Sequence, residues 1–236
     1  MQIGVVLNTF RRKNVRLQLD AIAMQTIQPK EILIWRNDDW PDDEFECLAK
    51  GIRFVKASEN LGVWPRFLAA SLMSCEFTAV FDDDTLPGSR WLENCRDCYG
   101  KNRAVYGSHG IRLPADRYRG GASFGWKKSC SQAERVDVVG HAWFFPRWLA
   151  SRVLDVYDGC LTAGEDMALS YVAQINGFDT FTAPHPAADL RMWGSLSGRQ
   201  LGHDEHAISH TKSGWNGYEK EYQRFRAMGW KLLCDG

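Results

Sequence analysis

Residues 77–88 run Phe-Thr-Ala-Val-Phe-Asp-Asp-Asp-Thr-Leu-Pro-Gly. A short apolar run of this kind reads as a buried strand, with Pro and Gly closing it. It delivers three carboxylates, Asp82, Asp83 and Asp84, at one strand end. Three acids there repel one another unless a cation or a set of donors offsets them. Hard cations such as Mg²⁺ and Mn²⁺ favour carboxylate oxygen and bridge to phosphates. The chemistry to expect is a divalent metal that receives a phosphorylated ligand. The bland alternative is a solvated acidic turn.

A second acidic pair, Glu165-Asp166, follows Gly164. Acids at a helix start complement the helix dipole, which is the dull reading. Beside a first acidic cluster, one carboxylate could instead take a proton from an acceptor hydroxyl. The segments Thr9-Phe10-Arg11, Asn37-Asp38-Asp39 and Asn60-Leu61-Gly62 close three earlier apolar runs. In open α/β sheets ligands gather beyond the carboxyl ends of the strands. Recurrence of polar residues at successive strand ends therefore suggests a nucleoside pocket. His185, His203, His206 and His210 fall in the last quarter, and His210 or His203 is the candidate to close over a metal and diphosphate. Arg199 and Lys212 could reach phosphate oxygens. Among ten tryptophans, Trp143 and Trp193 are the first candidates to approach a ligand, the rest being packing.

The elements that must position these groups alternate in the first half. Strands are expected at 3–7, 31–35, 52–55 and 77–81, with helices at 14–25 and 64–74 between them. Such alternation implies right-handed crossovers and a mainly parallel sheet. The second half reads as helix 91–99, strand 104–106, a Gly/Arg/Lys-rich stretch 107–131, strand 136–145, helices 148–156 and 165–174, and strand 178–183. Residues 187–217, rich in Gly, Ser and His, read as a lid or binding loop, and a closing helix is expected at 218–228.

The chain has 236 residues, with Lys+Arg and Asp+Glu at 29 each. That charge balance argues against nucleic-acid binding. Seven scattered cysteines, with Cys95 and Cys98 the one close pair, read as reduced core filler. No run approaches the roughly 18 apolar residues of a membrane span, and the expectation is a cytoplasmic protein.

The ordered set of Asn-Thr-Phe-Arg, Asn-Asp-Asp, Asn-Leu-Gly, Phe-Asp-Asp-Asp-Thr and Gly-Glu-Asp resembles a glycosyltransferase of the GT-A fold over about residues 1–185. It is most similar to family 2-like enzymes and, through Asp-Asp-Asp-Thr-Leu and Val-Gly-x-x-x-Phe-Phe, to exostosin-like transferases. The resemblance implies an α/β, Rossmann-like single domain with a central, mostly parallel mixed sheet flanked by helices. Residues 1–100 would be its nucleotide-binding half and 101–236 its acceptor-binding half. Thr9, Arg11, Asp38 and Asn60 would surround base and ribose. Asp82 and Asp83 would lie near ribose and sugar, and Asp84 would bind Mn²⁺ or Mg²⁺, with His210 as the further metal candidate. Asp166, or failing that Glu165, would stand beneath the reacting sugar. Family 2 enzymes invert and exostosin-like ones retain, so the stereochemistry stays open. The implied activity is hexosyl transfer from a nucleotide-diphosphate sugar, UDP-sugar first, to a carbohydrate or other hydroxyl acceptor. A sugar-phosphate nucleotidyltransferase is disfavoured because no glycine-rich loop follows the first strand. A non-catalytic nucleotide- or carbohydrate-binding module is the remaining alternative.

Overall fold

A computed structural model describes residues 1–11, 14–37, 52–126, 128–196, 201 and 212–236, with 212 and 213 as backbone only. Its strands are β1 (Ile3–Thr9), β2 (Glu31–Arg36), β3 (Arg53–Lys56), β4 (Phe77–Asp82), β5 (Ala104–Arg112), β6 (Ala122–Gly125), β7 (Glu134–Arg135), β8 (Val138–Pro146) and β9 (Asp179–Thr182). Its helices are α1 (Val15–Ala23), α2 (Pro65–Ser71), α3 (Trp91–Lys101), α4 (Trp148–Leu154), α5 (Glu165–Ile175) and α6 (Lys212–Ala227). Among the described residues all nine strands join one sheet, ordered β3-β2-β1-β4-β8-β5-β9-β7, with β6 on β5.

β1 is buried at every residue, as an apolar strand between two parallel neighbours must be. It pairs in parallel with β2 and β4, and β2 with β3. β8 runs antiparallel to both β4 and β5, so β5 points the same way as β4, and β9 follows β5. Six strands thus share a direction, and the expected mixed, mostly parallel α/β sheet is what the chain forms.

Side chains alternate across the sheet. Val6, Val80 and Trp143 join one buried cluster with residues of α2, α4, α5 and α6. Val5, Leu7, Phe81 and Phe144 join a second, with residues of α1 and α3. Two helical layers therefore cover both faces and leave the strand ends to carry polar groups. Among the described residues no helix is long and apolar enough to cross a membrane.

The second half departs from expectation in three places. β5 extends to Arg112 because β8 and β6 supply partners to its far end. β6 lies in the glycine-rich stretch that reads as loop. α6 begins at Lys212, six residues before the expected start; Gly214 and Gly217 obscure its periodicity, and Gly217 packs against Ala163. Of the expected lid 187–217, residues 197–200 and 202–211 lie outside the described residues, and 187–196 pack on the segment before α3. Trp193 and Arg191 carbonyls accept from the Gly88 and Arg90 amides at 2.8 Å, and Asp189 pairs with Arg90 at 2.8 Å.

Candidate active site

The register sets Asn8 of β1 level with Asp82 of β4, and Phe81 opposite Ala142 of β8. The ends of β1 and β4 and the start of β8 therefore meet on one rim. Beyond Asp82 the chain turns, the Thr85 amide donating to the Asp82 carbonyl at 3.0 Å. Helix α1 and the residue before it hold that turn. Gln18 Nε2 donates to the Asp82 and Thr85 carbonyls at 2.6 and 3.1 Å, and Asn14 Nδ2 to that of Asp83 at 2.8 Å. Thr85 Oγ1 donates to the His141 carbonyl at 2.9 Å, tying the turn to β8.

The turn sorts the three acids. Asp83 is buried and its Oδ2 accepts the Phe10 amide at 2.9 Å, so it anchors the segment after β1. Asp82 and Asp84 fall together with His141, one ligand atom of each lying within 4.8 Å of the others. Two carboxylates and an imidazole suit a hard or borderline divalent cation. His141 escaped sequence reading. Its faint signal is the expected strand 136–145 aligned against the acidic one, but its place opposite Asp82 depends on antiparallel register.

His141 has φ 65° and Trp126 φ 53°, a conformation non-glycine residues seldom take. Their rings stack at 4.5 Å and 19°, and His109 lies 5.5 Å from His141. Such strain persists where surroundings over-determine it, and it gathers at functional sites.

Across the rim, Gly164 (φ 100°) turns the chain into α5 and brings up Glu165 and Asp166. Arg66, from the first turn of α2, bridges the two acidic groups. Its Nη1 donates to Glu165 Oε1 at 2.9 Å, and its Nη2 meets Asp82 Oδ1 at 3.1 Å as an ion pair without hydrogen-bond alignment. Its guanidinium lies over the Trp143 ring at 5.1 Å. Asp166 reaches over β8: a side chain at Gly140 would meet its Oδ2 at 3.2 Å. Gly140 thus leaves room for the carboxylate beside His141.

Five acids meet here, with Arg66 the basic group that bridges them among the described residues. Burial first, then Asp84, Asp83 and Glu165, push the Asp82 carboxyl up against the pull of Arg66. Burial and Glu165 likewise push Asp166 well up. Asp166 Oδ1 and Glu165 Oε2 are buried without a hydrogen-bond partner among the described residues. This surplus of acid fits a cation at Asp82, Asp84 and His141.

The remaining expected residues divide. Thr9 is buried at the end of β1, and Arg11 (φ 58°) lies over the Phe10 ring at 5.0 Å. Asn60 Oδ1 accepts from the Gly62 amide at 2.8 Å and from Asn37 Nδ2 at 2.9 Å, knitting the 60–62 turn to the end of β2. Asp38, Arg199, His203, His206 and His210 lie outside the described residues, as does the side chain of Lys212. The two tryptophans singled out from the sequence are both held inside the fold. Trp143 is fully buried and donates to the Val139 carbonyl at 3.0 Å, and Trp193 donates to the Pro186 carbonyl at 2.9 Å. Their indole N–H groups find backbone partners inside the fold, and Trp143 also lies beneath Arg66 and beside Asp166. Trp126, which sequence reading passed over, reaches the rim by stacking on His141. Burial pushes the Cys95 and Cys98 thiols up, which suits core filler.

Fold and rim together define an α/β protein of the GT-A type, the architecture of a class of glycosyltransferases. Among solved structures it is similar to TarS of S. aureus, at TM-score 0.59 and 16% identity over 79% of this chain and 36% of that one. TarS 1–349 in complex with UDP matches at TM-score 0.59 and 17% identity, over 79% and 59%. Its complex with UDP-GlcNAc matches at 0.58 and 17%, over 79% and 57%. The chain thus spans between about a third and three-fifths of these structures. No family model matches the chain, and no curated protein matches it by sequence.

Proposed function

We propose that the protein is a metal-dependent glycosyltransferase whose donor is a UDP-sugar and whose acceptor is a carbohydrate hydroxyl. One observation carries this reading: Asp82, Asp84 and His141 converge on the strand rim where Asp166 stands beside Gly140. The UDP and UDP-GlcNAc complexes of the TarS structures support a uridine nucleotide as donor. Mn²⁺ or Mg²⁺ on Asp82, Asp84 and His141 would supply positive charge for a departing diphosphate.

The protein's own groups do the rest. Arg66 holds Asp82 and Glu165 apart from direct repulsion and keeps both acids aimed. Asp166, whose carboxyl burial and Glu165 push up, is the proton acceptor in this reading. It takes the proton of the acceptor hydroxyl as that oxygen bonds to the sugar's anomeric carbon. The bond from that carbon to the diphosphate oxygen breaks, and UDP leaves with the electron pair. Glu165 remains paired with Arg66 and acts on position. Thr9, Arg11 and Asn60 line the nucleoside end of the rim in this reading, with Asp38 a further donor-binding candidate and His210 a further metal candidate, both outside the described residues.

Calorimetric titration of UDP with and without Mn²⁺, followed by a UDP-sugar hydrolysis assay, tests the reading. Metal-dependent UDP binding together with UDP release is expected. Metal-dependent binding without turnover of any UDP-sugar would instead mark a nucleotide-binding module, and absence of UDP binding would sink the proposal.

A further inference from the structure

An open groove of about 450 Å³ adjoins the acidic rim, with Ile111, Ser123, Tyr118, Arg119 and Trp215 along its walls. Its aromatic side is a packed set of rings. Tyr118 and Tyr218 stack at 5.3 Å and 21°, and Tyr218 meets Trp215 edge-on at 5.7 Å. The Arg119 guanidinium sits 4.3 Å from the Trp215 ring centre and makes no ion pair among the described residues. Gly120 and Gly121 complete the wall. A side chain at Gly121 would strike the Arg112 backbone, and the missing side chains keep the groove open.

The groove is continuous with the site. Ile111 pairs with Ser123 and Val138; two residues back along β5, His109 pairs with Gly125 and Gly140. Those residues flank Trp126 and His141. On the other side, Gly217 of the helix that carries Trp215 abuts Ala163, just before Glu165 and Asp166. Burial raises the phenols of Tyr118 and Tyr218, and the charges of Asp166 and Glu165 add to the rise.

We propose that this groove is the acceptor subsite, binding a carbohydrate with a sugar ring against Trp215 and Tyr118 and its hydroxyls on Arg119. The inference rests on the transferase reading above and adds where the acceptor lies and what holds it. Flat aromatic surface desolvates the C–H face of a pyranose. A guanidinium oriented by its ring contact presents a fork of N–H donors to hydroxyl oxygens. The mixture of mostly apolar wall and one guanidinium donor suits a sugar better than a purely apolar ligand.

Saturation-transfer NMR on the full chain with Mg²⁺ tests this, with UDP and the methyl β-glycosides of glucose, galactose and N-acetylglucosamine as probes. At least one glycoside should receive saturation from the wild type. That signal should fall at least fivefold in Trp215→Ala, return in Trp215→Tyr, and fall in Arg119→Gln at an exposed site, while UDP saturation persists in all. Saturation of UDP with no glycoside signal would overturn the subsite alone, as would a glycoside signal that survives both Trp215→Ala and Arg119→Gln. Loss of UDP saturation in the wild type would overturn the transferase reading, and the subsite with it.

Discussion

Asp84 and His141 approach one another from a turn and from a strained strand residue, and either one tests the metal proposal. Asp84→Ala or His141→Ala should weaken Mn²⁺ binding at least tenfold, about 1.4 kcal/mol, measured by calorimetry on the UDP complex. Unchanged affinity in both variants would remove the cation from this place. Asp166→Asn should keep UDP binding and lose transfer, and full activity would exclude Asp166 as the base. Arg66 acts differently, since its side chain is only 11% exposed between Asp82 and Glu165. Arg66→Met leaves buried acids uncompensated, and such losses run about 3–5 kcal/mol. The urea midpoint should drop accordingly, and a neutral result would mean water reaches these acids freely. Of these residues, the acids were legible in sequence because their type and clustering are local properties. Arg66 and His141 were not, because what brings each to the acids is packing and strand register, which neighbouring motifs do not record.

At the scale of elements, the 60–62 turn and the segment before α5 support each other. Asn37 Nδ2 donates to the Gly62 carbonyl at 2.7 Å, and the Val63 amide donates to the Leu161 carbonyl at 2.8 Å. Gly62 has φ 73°, and any side chain there would overlap the Leu161 backbone. Gly62→Ala should therefore cost about 1–3 kcal/mol and lower Tm by ~2–4 °C per kcal/mol in a chain of this size. Because Leu161 leads into Gly164 and Glu165, activity should fall more than stability explains. A variant with unchanged Tm would show that the two segments do not constrain one another. The parallel strands β1 to β4 were readable because each is a compact apolar run with a polar end. β6 and the early start of α6 were not, because glycines there serve close packing and carry no periodic signal, and β7, two residues long, is too short to show a period.

At the scale of the whole molecule, His185 joins the two ends of the site's support. It is fully buried between Trp91 and Trp193. Its Nδ1 meets the Ala183 carbonyl at 2.6 Å, and its Nε2 accepts the Gly194 amide at 3.2 Å, which fixes a neutral ring protonated on Nδ1. A proton on Nε2 would face a donor, and burial, the larger cause, lowers the pKa from 6.5 to about 4. The unfolded chain therefore binds the proton first. His185 contributes fully to stability above pH 6.5, and the contribution, about 3 kcal/mol at most, is lost as pH falls toward 4. Denaturation midpoints should decline across that window, and the His185 ring should titrate near 4 by NMR. A ring that titrates near 6.5 would show it solvated.

What the sequence by itself determined is the α/β architecture and the acidic groups at its strand ends, since alternation of apolar runs and the placement of Asp82–Asp84 and Glu165-Asp166 are written locally. The tertiary structure decided which of them meet. Antiparallel β8, inserted between β4 and β5, carries His141 and Gly140 to the rim. The turn held by α1 separates Asp83 from Asp82 and Asp84, and α6 folds back to set Trp215 beside Tyr118. Strand register and long-range packing fix these encounters, and no spacing along the chain records them.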